Sequence, residues 1–167
     1  MITVITGNGK GKTTSALGQA ITAAAAGRRV YIGQFMKAGD YSEIAMLKSA
    51  FPEIMVEQYD GGMVINRAAK DNDKALAQEG LARAEAAMAS GRYDLIVLDE
   101  INVVLFLDLI SMEQMTQLIN NRGEADLILT GRHAAPKIID AADDAYEILQ
   151  VKHYFNDGVA ARRGIEM

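Results

Sequence analysis

The chain contains no cysteine, no tryptophan and only two prolines. Without a thiol there can be no disulfide, no thiolate nucleophile and no cysteine metal site, a composition that fits a reducing compartment. Charge of one sign is also scarce: 17 basic against 22 acidic residues leave a formal net charge of -5. No basic run and no basic stripe interleaved with aromatics occurs, so the expected partner is a small molecule and no nucleic acid. No apolar run approaches the roughly 20 residues that span a bilayer. The first residues read as a strand without a basic leader, which argues against a signal peptide. The expectation is therefore a cytoplasmic protein with no membrane contact. What remains is 167 residues, 50% of them hydrophobic, which is material for one full core and one domain spanning residues 1–167.

The densest information lies at the start, in MITVITGNGKGKTT. A short apolar strand ends at Thr6, three alternating glycines (Gly7, Gly9, Gly11) follow, and Lys12, Thr13 and Thr14 open a helix. Glycines let the backbone curl with its N–H groups inward, and the positive end of the helix faces the same point, so the segment describes a polyphosphate cradle. In the usual spacing the first glycine falls six residues before the lysine; here that position is Thr6, and Gly7 is one residue late. The bland alternative is a flexible turn before an ordinary helix, but the strand, loop and helix context favours the cradle. In that reading Lys12 neutralises phosphate oxygens and the Thr13 hydroxyl ligates Mg²⁺.

Downstream, apolar strand-like runs alternate with helical segments. ITVIT precedes a helix over about 12–26, RRVYIGQF one over 42–50, and IMVEQY a glycine-rich loop and a helix over 71–90. Then come DLIVLDE, a helix opened by Ser111 with Gln114 three residues on, DLILTG, a helix after Pro136, and YEILQV. Continuous apolar strands joined by helices imply parallel pairing with helices on both faces, a three-layer α/β fold around a mostly parallel sheet. Ligands of such sheets bind beyond the carboxyl ends of the strands. Thr6-Gly7, Gln34-Phe35, Asp99-Glu100, Thr130-Gly131 and the segment after Val151 should therefore face one crevice.

LIVLDEIN, residues 95–102, is the second informative site, because an apolar strand ending in two carboxylates opposite a phosphate loop is placed to hold Mg²⁺. Asp99 and Glu100 leave the strand in opposite directions, so one can face the ion while the other binds neighbouring groups; sequence does not say which. The bland alternative is a pair of carboxylates solvating a strand end.

Taken together, GNGKGKTT, GQFMK, LDEIN, LTGRHAAP and the tail VKHYFNDGVAARRGIEM resemble the corrinoid adenosyltransferases of the P-loop type over nearly the whole chain. The resemblance implies the P-loop NTPase (RecA-like) version of the three-layer fold. It also implies transfer of the 5′-deoxyadenosyl group of ATP to a reduced corrinoid, cob(I)alamin or cobyrinic acid a,c-diamide, with release of tripolyphosphate. Co(I) is itself a strong nucleophile, so the protein must supply position and charge rather than a catalytic base. By resemblance Gly7, Asn8, Gly9, Lys10, Gly11, Lys12, Thr13, Thr14 and Arg132 line the nucleotide, which lies reversed relative to ordinary P-loop ATPases. Lys12, Thr13 and Glu100 act on the leaving triphosphate, and Thr13, Glu100 and Asp99 are the candidate ligands of Mg²⁺ or Mn²⁺. An electron-donating reductase and a homodimer are further implications.

For the corrinoid face the candidates are Phe35, Met36, Tyr41, Tyr59, Met63 and the segment 61–67. Many members carry a tryptophan in a TWETQ-like stretch there, thought to help remove the lower axial ligand, whereas this chain reads YDGGMVINR. Enterobacterial members also carry an N-terminal extension folding over the site; with the first strand beginning at Ile2, a more open site is expected. His133 and His153 lack a visible carboxylate partner and are expected to pack or hydrogen-bond locally. Met46, Met88, Met112 and Met115 fall at core spacings. The tail, with Arg162 and Arg163, reads as a solvated basic end; by resemblance Lys152, Asp157 and Arg163 shape the crevice or a subunit interface. Two rival functions stand beside the transferase: an ordinary P-loop ATPase or kinase-like enzyme in which Glu100 activates water or a hydroxyl, and an ATP-switched corrinoid carrier.

Overall fold

The computed structural model describes residues 1–37, 41–60, 70–154, 158, 162 and 164. Its centre is a six-stranded, wholly parallel sheet in the order β3-β2-β4-β5-β1-β6. The strands are β1 (Ile2–Thr6), β2 (Val30–Phe35), β3 (Ile54–Tyr59), β4 (Leu95–Asp99), β5 (Asp126–Thr130) and β6 (Asp144–Glu147). Between them run α1 (Lys12–Ala25), α2 (Ser42–Ala50), α3 (Asp71–Ala89), α4 (Ile101–Phe106), α5 (Met112–Asn120) and α6 (Pro136–Asp140).

Strand side chains alternate faces, so a strand buried on both sides must be apolar at every position. β4 shows the result: Leu95 and Val97 enter a core with Ala16, Leu17 and Ala20 of α1 and Ile44 and Leu47 of α2. Ile96 and Leu98 enter the opposite core, with Leu81 of α3, Val104 of α4 and Met115 and Leu118 of α5. These two cores are the interfaces of a three-layer α/β fold of the P-loop NTPase kind. The chain steps one way across the sheet from β1 to β2 to β3 with α1 and α2 on one face. It then reverses through β4, β5 and β6 with its helices on the other face, and reversing direction and face together keeps every crossover the same hand.

Two elements differ from the sequence-based expectation. The last strand is Asp144–Glu147, which starts two residues before the YEILQV run and stops after its first two residues. Its partner β1 ends at Thr6, and Ile148 leaves the ladder to receive the phosphate loop: the Ile148 N–H donates to Thr6 O at 2.9 Å, and the Gly9 N–H donates to Ile148 O at 2.7 Å. As an edge strand with three of its four residues exposed, β6 needs no continuous apolar run. The helix α4 was not anticipated, because residues 101–105 are all buried and a helix apolar all round has no amphipathic period to read. α5 is opened by the expected reciprocal cap, in which the Gln114 N–H donates to Ser111 Oγ and the Ser111 N–H to Gln114 Oε1. Of the methionines assigned to the core, Met88 and Met115 are buried and Met112 is half-buried, but Met46 is 43% exposed.

Among the described residues no helix is long and apolar enough to cross a membrane. One glycine is held by packing rather than by a turn. A Cβ at Gly80 of α3 would lie 2.5 Å from Phe35 Cε1 and 2.7 Å from Tyr59 Cδ2. Helix propensity favours alanine over glycine by about 1 kcal/mol, while forcing a methyl against two rigid buried rings costs roughly 1–3 kcal/mol. Gly80→Ala should therefore lower the thermal midpoint in a melting experiment; a raised midpoint would refute this packing.

Candidate active site

The carboxyl ends of β1, β2, β4 and β5 meet at one rim, and the backbone there is unusual. Among the described residues, three of the four non-glycine residues at positive φ follow strand ends: Met36 (55°) after β2, Glu100 (65°) after β4 and His133 (59°) after β5. Such conformations cost of order 1–3 kcal/mol each and persist where surrounding structure enforces them, often at functional sites.

The loop between β1 and α1 is as tight as its glycines imply. Gly7 and Gly11 sit at φ 96° and 117°, and a Cβ on Gly9 would stand 2.7 Å from Ile148 O and 2.8 Å from Leu149 O. Thr6, at the spacing position usually taken by glycine, ends β1 and accepts the Ala134 N–H on its hydroxyl at 3.3 Å, tying the loop after β5 to the phosphate loop. Not every loop amide points inward, since that of Gly9 is spent on Ile148 O. Lys12 lies back over the loop and donates to Gly9 O at 2.8 Å. Its burial lowers the ammonium pKa, only partly offset by the Glu100 charge.

Beside the loop lies a cavity of about 360 Å³ lined by Asn8, Gly9, Lys10, Gly11, Lys12, Thr13, Thr14, Lys37, Tyr41, Glu43, Glu100, Arg132 and His153. It is within the usual size range of small-molecule sites. Every residue that sequence reasoning assigned to the nucleotide lines it except Gly7, which forms the turn beneath. From the C-terminal segment, Tyr154 accepts a hydrogen bond from Lys10 Nζ at 3.1 Å and carries the Arg162 guanidinium 5.0 Å from its ring centroid, bringing the tail against the loop.

The two carboxylates after β4, ambiguous in sequence, take different places. Asp99 is fully buried. Its Oδ1 accepts from Thr13 Oγ1 at 3.0 Å and Thr130 Oγ1 at 2.6 Å; its Oδ2 accepts from Gln34 Nε2 at 3.1 Å and Lys37 Nζ at 2.7 Å. The network continues outward: Gln58 Nε2 donates to Gln34 Oε1 at 3.1 Å, and the Glu100 N–H donates to Thr130 Oγ1 at 3.0 Å. Glu100, at 18% side-chain exposure, faces the cavity 3.8 Å from Lys37 Nζ. Burial raises its pKa, opposed by the Lys37 ammonium and reinforced by the Asp99 charge.

Hydroxyl and carboxylate oxygens from Thr13, Asp99 and Glu100 form a hard-oxygen donor set, which suits Mg²⁺ or Mn²⁺. Among the described residues no group of three or more histidines and acids gathers as a self-sufficient metal cage. A cation here would complete its shell with phosphate oxygens and water, as Mg²⁺ in nucleotide sites does. The donor set therefore fits the metal that a P-loop implies.

The candidates for the corrinoid face fare differently. Phe35 and Tyr59 are core residues, at 0% and 7% exposure, with ring centroids 5.6 Å apart. Tyr59 donates to Glu57 Oε2 at 2.5 Å. The cavity these two rings and Met36 help to line measures only about 10 Å³. The expectation that Phe35 and Tyr59 offer an apolar face to a macrocycle is corrected by this burial: both are taken up by packing against Gly80. Met36 is half-buried against the same core. Met63, the segment 61–67, Asp157 and Arg163 lie outside the described residues. Both histidines pack locally, His133 stacked on Phe106 at 4.2 Å and His153 tilted on Tyr154 at 4.5 Å.

Lys37 was missed by sequence reasoning. Its signal was available: a lysine two residues beyond β2, in a sheet where β2 pairs with β4 and sets Gln34 opposite Asp99. Strand adjacency, which sequence does not supply, turns that lysine toward the carboxylates.

Comparison with known proteins decides the family. The sequence profile of the family described as ATP:corrinoid adenosyltransferase BtuR/CobO/CobP matches residues 1–167. This chain belongs to that family. It is 34% identical to the corrinoid adenosyltransferase of Escherichia coli K12 over 99% of this chain and 85% of that protein. The corrinoid adenosyltransferase of Salmonella typhimurium LT2 is likewise 34% identical, with the same coverage. An uncharacterized protein of Nostoc is 36% identical, and there the chain spans about half of the relative's length, 47%. Membership makes the chain an enzyme of the corrinoid adenosyltransferase family.

The unequal placement of the two carboxylates makes a prediction. Asp99→Asn sets an amide donor among four donors and should destabilise the protein by about 1–3 kcal/mol. Glu100→Gln removes a carboxylate whose charge burial disfavours and should leave stability unchanged or slightly higher. Paired urea or thermal melts check the contrast, and equal losses in both variants would contradict it.

Proposed function

We propose that this chain transfers the 5′-deoxyadenosyl group of ATP to a Co(I) corrinoid and releases tripolyphosphate. The observation that carries the reading is the family match over all 167 residues, joined to a cavity whose lysines, arginine and loop amides suit a polyphosphate. In the reaction the Co(I) electron pair attacks the ribose C5′, a cobalt–carbon bond forms, and the C5′–O bond breaks with its pair leaving on the triphosphate. Cobalt, the substrate atom, goes formally from Co(I) to Co(III).

The residues then divide the work. Lys12, released from Gly9 O, Lys10 and Arg132 gather the phosphates, and loop amides and the α1 N-terminus add oriented dipoles. Thr13 and Glu100 would hold Mg²⁺, with Asp99 behind them fixing the Thr13 hydroxyl. When bound, the ion offsets charge that grows on the leaving triphosphate. With the nucleotide reversed, C5′ faces the rim rather than the loop. For the corrinoid face we propose the half-buried Met36 and the stacked Phe106 and His133 beside Arg132, Phe106 being 56% exposed. Cob(I)alamin or cobyrinic acid a,c-diamide as substrate, an electron-donating reductase, one cytoplasmic domain and a homodimer belong to the same proposal.

The raised proton affinity of Glu100 favours the rival, a carboxylate positioned to activate water at a terminal phosphate. An anaerobic assay with ATP, Mg²⁺ and chemically reduced cob(I)alamin separates the two. The expected outcome is a spectral change for cobalt–carbon bond formation with tripolyphosphate as product; inorganic phosphate and ADP without that change would establish the ATPase. Lys12→Ala should lose turnover by at least about a hundredfold, the order of removing a preorganised electrostatic contact to a leaving group, with its melting curve retained. Unaltered turnover in that variant would defeat the phosphate-loop assignment.

A further inference from the structure

The Lys37 ammonium sits among the oxygens to which the proposed function assigns the metal. Its Nζ donates to Thr13 Oγ1 at 2.6 Å and to Asp99 Oδ2 at 2.7 Å, and stands 3.8 Å from Glu100 Oε1. The side chain is 21% exposed. At 2.7 Å from the Asp99 carboxylate and 3.8 Å from that of Glu100, the group is the cation of two ion pairs. The positive φ of Met36 turns the chain back at the end of β2, which brings the next residue over the end of β4.

Mg²⁺ binds oxygen at about 2.0–2.1 Å and an ammonium does so at about 2.7–2.9 Å, so on one small oxygen set the two cations compete for the same lone pairs. A lysine within hydrogen-bond distance of Thr13 and Asp99 would also stand only a few ångströms from a dication on the same atoms, where like charges repel strongly. The two cations must alternate.

We propose that Lys37 is a resident counter-cation: paired with Asp99 behind it, it holds the Thr13 and Glu100 seat closed to free divalent ions, and yields it only when a metal arrives with a polyphosphate. The lysine lines the same cavity as the phosphate loop, so the anion that brings the metal also offers the displaced ammonium a new partner. Metal and nucleotide then bind with strong positive coupling, because the seat itself is not left with uncompensated negative charge at any stage. By reciprocity the nucleotide tightens the metal by the same factor as the metal tightens the nucleotide. This inference rests on the reading of Thr13 and Glu100 as the metal seat.

Mn²⁺ as the probe, followed by the loss of its free-ion paramagnetic resonance signal, tests the proposal without turnover. Wild-type protein without nucleotide should bind Mn²⁺ weakly and gain affinity sharply when ATP is added. Lys37→Met, which removes the charge and keeps the bulk, should bind Mn²⁺ without nucleotide at least about tenfold more tightly than wild type, as expected for deleting one unit charge near the ion. The ATP-induced gain should shrink in the same proportion. Three of the four Asp99 hydrogen bonds do not involve Lys37, and the variant's melting curve, raised by Mn²⁺ alone, provides a second readout. Lys37→Arg should behave as wild type. Tight nucleotide-independent Mn²⁺ binding by wild type, or unchanged affinity in Lys37→Met, overturns the proposal. Failure of the underlying reading looks different: Thr13→Val would then bind Mn²⁺ with ATP as well as wild type does.

Discussion

The interaction on which the rest of the site depends is the buried carboxylate of Asp99 with its four donors. An ionisable group enclosed in a core is costly unless paired and hydrogen-bonded. Here the donors come from three elements and the segment that follows one of them: Thr13 of α1, Gln34 of β2, Thr130 of β5 and Lys37 beyond β2. Satisfying this one group therefore fixes the helix after the phosphate loop against three strand ends. β5 lies between β1 and β4, so the loop and Asp99 belong to strands roughly 10 Å apart at the usual strand spacing. The Thr13 side chain closes that gap from above. A carboxylate anchored in this way can hold the hydroxyl in one orientation while its neighbour Glu100, turned outward by a left-handed backbone, stays available to the cavity.

The arrangement divides rigidity from chemistry. Apolar packing on both faces of β4 holds the strand ends, Asp99 transmits that order to Thr13 and Lys37, and the cavity receives groups whose charges are not yet balanced. Lys12 resting on a loop carbonyl and Lys37 resting on Thr13 and Asp99 are both ammonium groups bound to protein atoms at the edge of the cavity. A polyphosphate with its metal could take over both partners. The positive charge it would meet is thus present in advance, which lowers the reorganisation needed when negative charge grows on a leaving group.

Much of this was legible in the sequence. Residues 2–6, 30–35 and 95–99 carry largely apolar runs of the kind a doubly covered parallel strand requires, and the glycine spacing with Lys12 and Thr13 pointed to one rim. The division between Asp99 and Glu100 was not legible, because it depends on which strand neighbours β4. Strand order is a property of the whole chain. Phe35 and Tyr59 were misjudged for a related reason: their positions at strand ends suggested the rim, while Gly80 on α3 opens a space that draws both rings inward. The helix α4 and the true extent of β6 escaped because complete burial in one and exposure of most residues in the other remove the periodicities that mark such elements.

The central claim is that the charges collected around Asp99 and the phosphate loop serve cleavage at the ribose carbon and not at a phosphorus atom. It is tested most directly by anaerobic turnover with reduced cobalamin and ATP carrying ¹³C at C5′, followed by carbon nuclear magnetic resonance of the products. The account predicts that the labelled resonance leaves the phosphoester region and reappears as a carbon bonded to cobalt. A label that remains in the phosphoester of ADP or AMP would contradict it.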